Sequence, residues 1–153
     1  MNTELRPHPD PYLAKPRIGL GSIAAAGALA AVFAAVGDVV VYSIGRASGA
    51  SMVFPYQWEK PPAVLPISVI VSVDIFAAIL ATIAFGLLVK FTLRGIRVFQ
   101  IVSVLALLVS FGGPLTLTQT AGSTKATLMA MHVVAAAGIV AVLSLLGQPA
   151  QNR

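Results

Sequence analysis

Four long apolar stretches alternate with short polar breaks along the chain. They occupy about residues 18–45, 67–89, 98–117 and 127–146. Each comes close to or exceeds the roughly 20 residues that a helix needs to cross a hydrocarbon core about 30 Å thick. The runs are continuously apolar, whereas strands of a membrane barrel alternate over about 10 residues. Helices are therefore predicted. The breaks carry helix stop signals: Gly49, Pro55, Pro61, Pro62 and Pro66 in the first, Arg94-Gly95 in the second, Gly122 in the third. Gly147 and Pro149 end the fourth. The expected fold is all-α, a polytopic membrane protein built as a four-transmembrane-helix bundle over residues 18–147. A Pro-rich tail, 1–17, precedes it and a short tail, 148–153, follows. The first apolar run is about twice a signal-peptide core of 7–15 residues, so it reads as a span and not as a cleaved leader.

Composition closes off other classes. Hydrophobic residues make up 58% of the chain and charged residues 10%, with mean hydropathy +0.91. Average soluble domains carry about 25% charged residues, so a water-facing surface cannot be covered here. Cysteine is absent, which removes disulfide frameworks, thiolate zinc sites and iron–sulfur clusters. The net charge of +5 gains its meaning from position. Arg6, Lys15, Arg17, Lys90, Arg94, Arg97 and Arg153 fall on one side of the predicted membrane, and Arg46, Lys60 and Lys125 on the other. The positive-inside rule then places both termini in the cytoplasm of a cell-membrane protein. The basic excess is explained by topology, and no nucleic-acid partner is expected.

Packing between the spans is predicted from small residues, because lipid tails are as apolar as leucine and give little hydrophobic drive. Gly27 with Ala31 and Ala30 with Ala34 are small pairs four residues apart. The fourth span offers Ala135-Ala136-Ala137-Gly138. Spans one and four are expected to pack most tightly, with Gly27, Ala31 and Ala34 facing span four. Gly112-Gly113-Pro114 predicts a kink or broken turn in span three. Phe54, Tyr56 and Trp58 in the first outer loop read as an interfacial anchor, with a lid as the alternative.

Three ionisable residues fall inside the spans. At about 1.5 Å per residue, Asp38 lies roughly 10 Å below the outer end of span one. Asp74 and His132 lie roughly 12 Å below the outer ends of spans two and four. Chain direction alternates, yet all three reach one level. Ser110 and the Gly112-Gly113-Pro114 break lie near that level, and Tyr42 extends the Asp38 face by one turn. Asp38, Tyr42, Asp74, Ser110 and His132 are thus the candidate ligand or ion pocket. An aspartate in hydrocarbon costs about 2.5–3.5 kcal/mol on insertion scales, so these side chains should point inward. The readings open at this point are a hydrogen-bonded core that sets helix register, a proton relay, a cation site and a divalent-metal site. Arg46 and Lys125 should snorkel outward or rim the acidic level.

Enzyme chemistry finds no support. HExxH, GxSxG and phosphate-loop patterns are missing, and Ser110 lacks an elbow. A bis-histidine haem would need a second intramembrane histidine, and His8 lies in the tail. No catalytic residue and no cofactor are expected.

The stretches Asp38-Val-Val-Val-Tyr42-Ser-Ile-Gly-Arg46, Arg97-Val-Phe99, Ser110 to Pro114 and Leu128-Met-Ala-Met131-His132-Val-Val-Ala-Ala resemble a family of small bacterial four-helix membrane proteins. That family carries only a domain-of-unknown-function label. The likeness covers about residues 18–147. It implies four spans and no assigned activity. The function expected is that of a non-enzymatic accessory or interaction protein, with a small proton- or cation-coupled transporter or channel as the alternative. The partners expected are the lipid bilayer and either further copies of the chain or a larger membrane complex.

Overall fold

A computed structural model describes residues 19–55, 61–118 and 120–147. The Pro-rich tail, the C-terminal tail, Tyr56, Trp58, Lys60, His8 and Gln119 lie outside the described residues.

The helices run α1 (Leu20–Ala47), α2 (Ile67–Phe91), α3 (Gly95–Ser110), α4 (Gly112–Thr116) and α5 (Gly122–Leu146). The spans Leu20–Ala47, Ile67–Phe91, Gly95–Thr116 and Gly122–Leu146 contain 28, 25, 22 and 25 residues, each long and apolar enough to cross a membrane. Between α1 and α2 the chain adds β1 (Val53–Phe54) and β2 (Ala63–Val64), paired antiparallel with Val53 opposite Val64.

Local chemistry sets the boundaries. Pro66 caps α2 in an extended conformation, where its missing donor costs nothing. At the other end of α2 the Thr92 hydroxyl donates to Leu88 O, closing the last turn. Three residues later Gly95 starts α3 against the backbone of Leu88 and Val89, where a Cβ would not fit. The predicted break in span three is present. Phe111 interrupts the helix between α3 and α4, because Pro114 has no N–H to return to Ser110. The Thr116 hydroxyl donates to Gly112 O at 2.7 Å in the short segment that follows.

The spans form an up-down-up-down ring in the order α1, α2, α3, α5. Helix α1 is the hub and packs most extensively on α5, then on α2. This bears out the expected pairing of spans one and four. The faces of α1 divide differently from expectation, however. Gly37 approaches Val134 and Gly45 approaches Thr127, both on α5. Ala34 is fully buried with Gly138 of α5 beside it. Gly27 instead leaves room for Thr82 of α2, and Ala31 borders the α1–α2 groove with Ala78 and Ile79. Small residues four apart fix closeness but not the partner, and about 100° of rotation per residue decides which neighbour is met.

The molecule is inverted relative to a soluble bundle. Phe33, Phe76, Leu108 and Leu145 are all more than half exposed, while Asp38 and Asp74 are buried. Such a surface needs a hydrocarbon solvent. The protein is an integral membrane protein.

One consequence is testable by overpacking. Ala34→Leu forces about three heavy atoms against the α5 backbone and should lower Tm in detergent, by about 1–3 kcal/mol of stability. Ala31→Leu enters an open groove and should melt close to wild type. Equal losses in the two variants would show that the faces of α1 are assigned wrongly.

Candidate functional site

The core is split in two. One cluster holds Ala26, Ala30, Ala34, Ala78, Phe85, Phe99, Ile139 and Leu143. The other, at the hairpin end, holds Tyr42, Ala50, Met52, Leu65, Ile70, Leu128 and Met131. Asp38, Asp74 and His132 lie between them. Helical spacing explains the layering. One turn toward the hairpin from each polar residue stands a large side chain of the second cluster: Tyr42 above Asp38, Ile70 above Asp74, Leu128 above His132. One turn the other way stand Ala34 and Ala78 of the first cluster.

Asp38 is 5% and Asp74 4% exposed. Their carboxyl groups face each other across α1 and α2, within hydrogen-bonding reach. Two carboxylates have no donor between them, so a hydrogen bond at this point requires a proton on one. Asp38 Oδ1 and Asp74 Oδ2 are buried and have no hydrogen-bond partner among the described residues. His132 is half-buried on α5 and near enough to Asp74 for their charges to interact. Its Nδ1 lies 2.8 Å from Leu128 O. A carbonyl only accepts, so Nδ1 carries the hydrogen, and Nε2 is the ring atom left for other contacts.

The other two sequence candidates do not join this layer. The Tyr42 hydroxyl donates to Leu65 O at 3.0 Å, tying α1 to the start of α2. The Ser110 hydroxyl donates to Leu107 O at 2.7 Å within its own helix. Among the described residues no three His, Asp or Glu side chains assemble as a metal-binding set. Arg46 donates to Ser51 O at 2.6 Å, which holds it on the loop and not over the acids. Two grooves flank α1, of about 350 Å³ against α5 and about 330 Å³ against α2. Neither is lined by Asp38, Asp74 or His132.

Residues 19–147, the whole helical bundle with its acid layer, match the model of a family of unknown function, DUF6069. The chain belongs to that family. No curated protein and no solved structure matches it.

The DUF6069 bundle also contains a cover over the layer that sequence reasoning missed. Met52 is fully buried at φ 53°, a left-handed conformation uncommon outside glycine. Its N–H donates to Thr124 Oγ1 at 3.2 Å, and its carbonyl accepts from Leu65 N at 2.9 Å. Thr124, fully buried on α5, is also 3.3 Å from the Ser51 hydroxyl. These bonds hold the backbone turned so that the Met52 side chain plugs the hairpin end of the bundle. A positive φ at methionine has no sequence signature, and Thr124 reads as one polar residue among several at a helix start. At the far end Gln100 Nε2 reaches Ser144 Oγ at 3.5 Å, a polar tie between α3 and α5 that was likewise unforeseen.

Proposed function

We propose that this protein is a non-enzymatic accessory or interaction protein of the cell membrane, with both termini cytoplasmic. Its Asp38–Asp74–His132 layer is a lock that fixes the register of α1, α2 and α5. The observation carrying this reading is the acid pair itself: two buried carboxyl groups on adjacent helices, turned to each other and set between two apolar clusters. In a bilayer apolar faces slide past lipid and past each other at similar cost, so a polar contact at one depth discriminates among registers. A rigid bundle with apolar faces then presents a defined surface to a partner in the membrane.

Reconstitution in liposomes tests the role. The wild type should carry no proton or cation current, and Asp74→Ala should insert normally but melt lower. A wild-type flux that disappears in Asp74→Asn would overturn the lock in favour of a coupled transporter or channel.

The orientation is tested with single cysteines, since the chain has none of its own. Val64 is on the hairpin and 44% exposed, and Leu93 is in the α2–α3 turn and 97% exposed. A membrane-impermeant thiol reagent should label Val64→Cys in intact cells and leave Leu93→Cys unlabelled until lysis. The reverse pattern would invert the topology read from the basic residues.

A further inference from the structure

We propose that the Asp38–Asp74 pair is a binding site for a proton, exchanged from the hairpin end past the Met52 side chain. The site is the one described above, but the proposal does not depend on its acting as a lock. The first support is the pair of orphaned oxygens, Asp38 Oδ1 and Asp74 Oδ2, on side chains more than nine-tenths buried. A buried carboxylate oxygen needs a donor or a cation. Here two such atoms on different helices have none supplied by the described residues.

The ionisable groups around the pair identify the class of ligand. Each acid faces the other from α1 and α2, His132 faces Asp74 from α5, and the Tyr42 phenol one turn above is committed to Leu65 O. A fully ionised pair would put two like charges at one point in an apolar layer, and one bound positive charge halves that. A divalent ion demands more. Calcium takes six to eight oxygens and magnesium a near-octahedral set, and among the described residues no third acidic or imidazole ligand completes a metal set here. Sodium and potassium also gather several oxygens, so the fit is to a proton.

The route follows from the asymmetry of the seal. From Asp74 to the start of α2 at Ile67 is about seven residues, or roughly 10 Å, while to its end at Phe91 is about 17 residues, or roughly 25 Å. The long path runs through Ala78, Phe85, Phe99 and Leu143, each at most 2% exposed. The short path is closed by the cluster that holds Tyr42, Ile70 and Leu128 one turn above the polar residues, with fully buried Met52 among them. The Met52 backbone is pinned by Thr124 and Leu65, but a methionine side chain has three rotatable bonds and no branch. The side chain can swing aside while the turn that carries it stays in place.

The test is modification by a water-soluble cationic carbodiimide with glycine ethyl ester, on the full chain in nanodiscs, read by mass spectrometry at Asp38 and Asp74. The reagent couples a protonated carboxyl, so one acid per chain should be modified slowly in the wild type. Met52→Ala should raise the rate about tenfold, equivalent to about 1.4 kcal/mol off the opening barrier. Met52→Leu, which keeps the bulk, should stay near wild type. Leu143→Ala controls for general loosening at the other end and should leave the rate unchanged. No protection by sodium, lithium or potassium at fixed pH supports the proton as occupant, whereas protection by any of them places a metal cation there and overturns the proposal. Failure of Met52→Ala to be modified, or equal acceleration by Leu143→Ala, overturns the proposal. Should Asp74→Ala melt like wild type while the wild-type acids are modified as described, the lock is lost and the binding site stands.

Discussion

Phe85→Ala should be among the most destabilising single substitutions in the bundle. Phe85 is fully buried, and its ring meets that of Phe99 edge to face, with centroids 5.1 Å apart and planes at 82°. In a soluble protein such a truncation costs about 3–5 kcal/mol. Part of that figure does not transfer. When a membrane bundle comes apart its helices remain in lipid, so the exposed ring loses little by way of solvent. What remains is the void. At about 24 cal/mol per Å³ over a volume on the order of 100 Å³, the cavity alone is worth about 2 kcal/mol. The lost aromatic pair adds about 0.5–1.5 kcal/mol. We therefore expect a loss of about 2–4 kcal/mol, measured as unfolding in mixed micelles. Phe76, 63% exposed on the same helix, supplies the control: Phe76→Ala should be close to neutral. If Phe85→Ala and Phe76→Ala behaved alike, the inner face of α2 would have to be placed elsewhere.

The difference between those two phenylalanines was not legible in the sequence. Both sit in the same continuously apolar run, and a helix bathed in lipid keeps no polar face to mark the outside. What could be read was position along the axis. A rise of about 1.5 Å per residue is insensitive to rotation, so the common depth of Asp38, Asp74 and His132 emerged from counting alone. Rotation had to be supplied by a further cost. For the acids that cost is the expense of a carboxylate against lipid, and both do point inward. Ser110 carries no such cost. A serine hydroxyl satisfies itself on the carbonyl three or four residues back, as it does on Leu107, so shared depth placed it near the layer without drawing it in. Gly27 failed for the same reason, its depth being compatible with α2 as well as α5.

The cover at the hairpin end was hidden by a different limit. Strands of two residues are too short for alternation to register. The plugging position is set by hydrogen bonds from Met52 N to Thr124 Oγ1 and from Leu65 N to Met52 O, separated by up to 72 residues along the chain. The prolines marked the segment as a connection, but its course depends on those long-range bonds.

The second large effect is expected in the acid pair, where the informative quantity is the coupling. Asp38→Ala leaves the Asp74 carboxyl alone in an apolar layer, and Asp74→Ala does the same to Asp38. A buried polar group stripped of its partner costs about 1–3 kcal/mol, so each single variant should lose that much. The double variant removes both groups and with them the unpartnered carboxyl, so its loss should fall short of the sum. The shortfall measures the pair. Interhelical hydrogen bonds in membranes average about 0.6 kcal/mol and reach about 1.7. A bond to an ionised acceptor is roughly twice as strong as a neutral one. That places the coupling at the upper end, about 1–2 kcal/mol. Asp74→Asn should be milder than Asp74→Ala, because the amide still offers a donor to Asp38. His132→Ala should couple to Asp74 more strongly than to Asp38, since the imidazole interacts with the former. Unfolding in mixed micelles at one pH gives all of these values from the same set of variants. Additivity of Asp38→Ala and Asp74→Ala within about 0.5 kcal/mol, the range expected of independent sites, would mean that the two carboxyls are neighbours without being partners. Register in α1 and α2 would then have to be set by the small-residue faces alone.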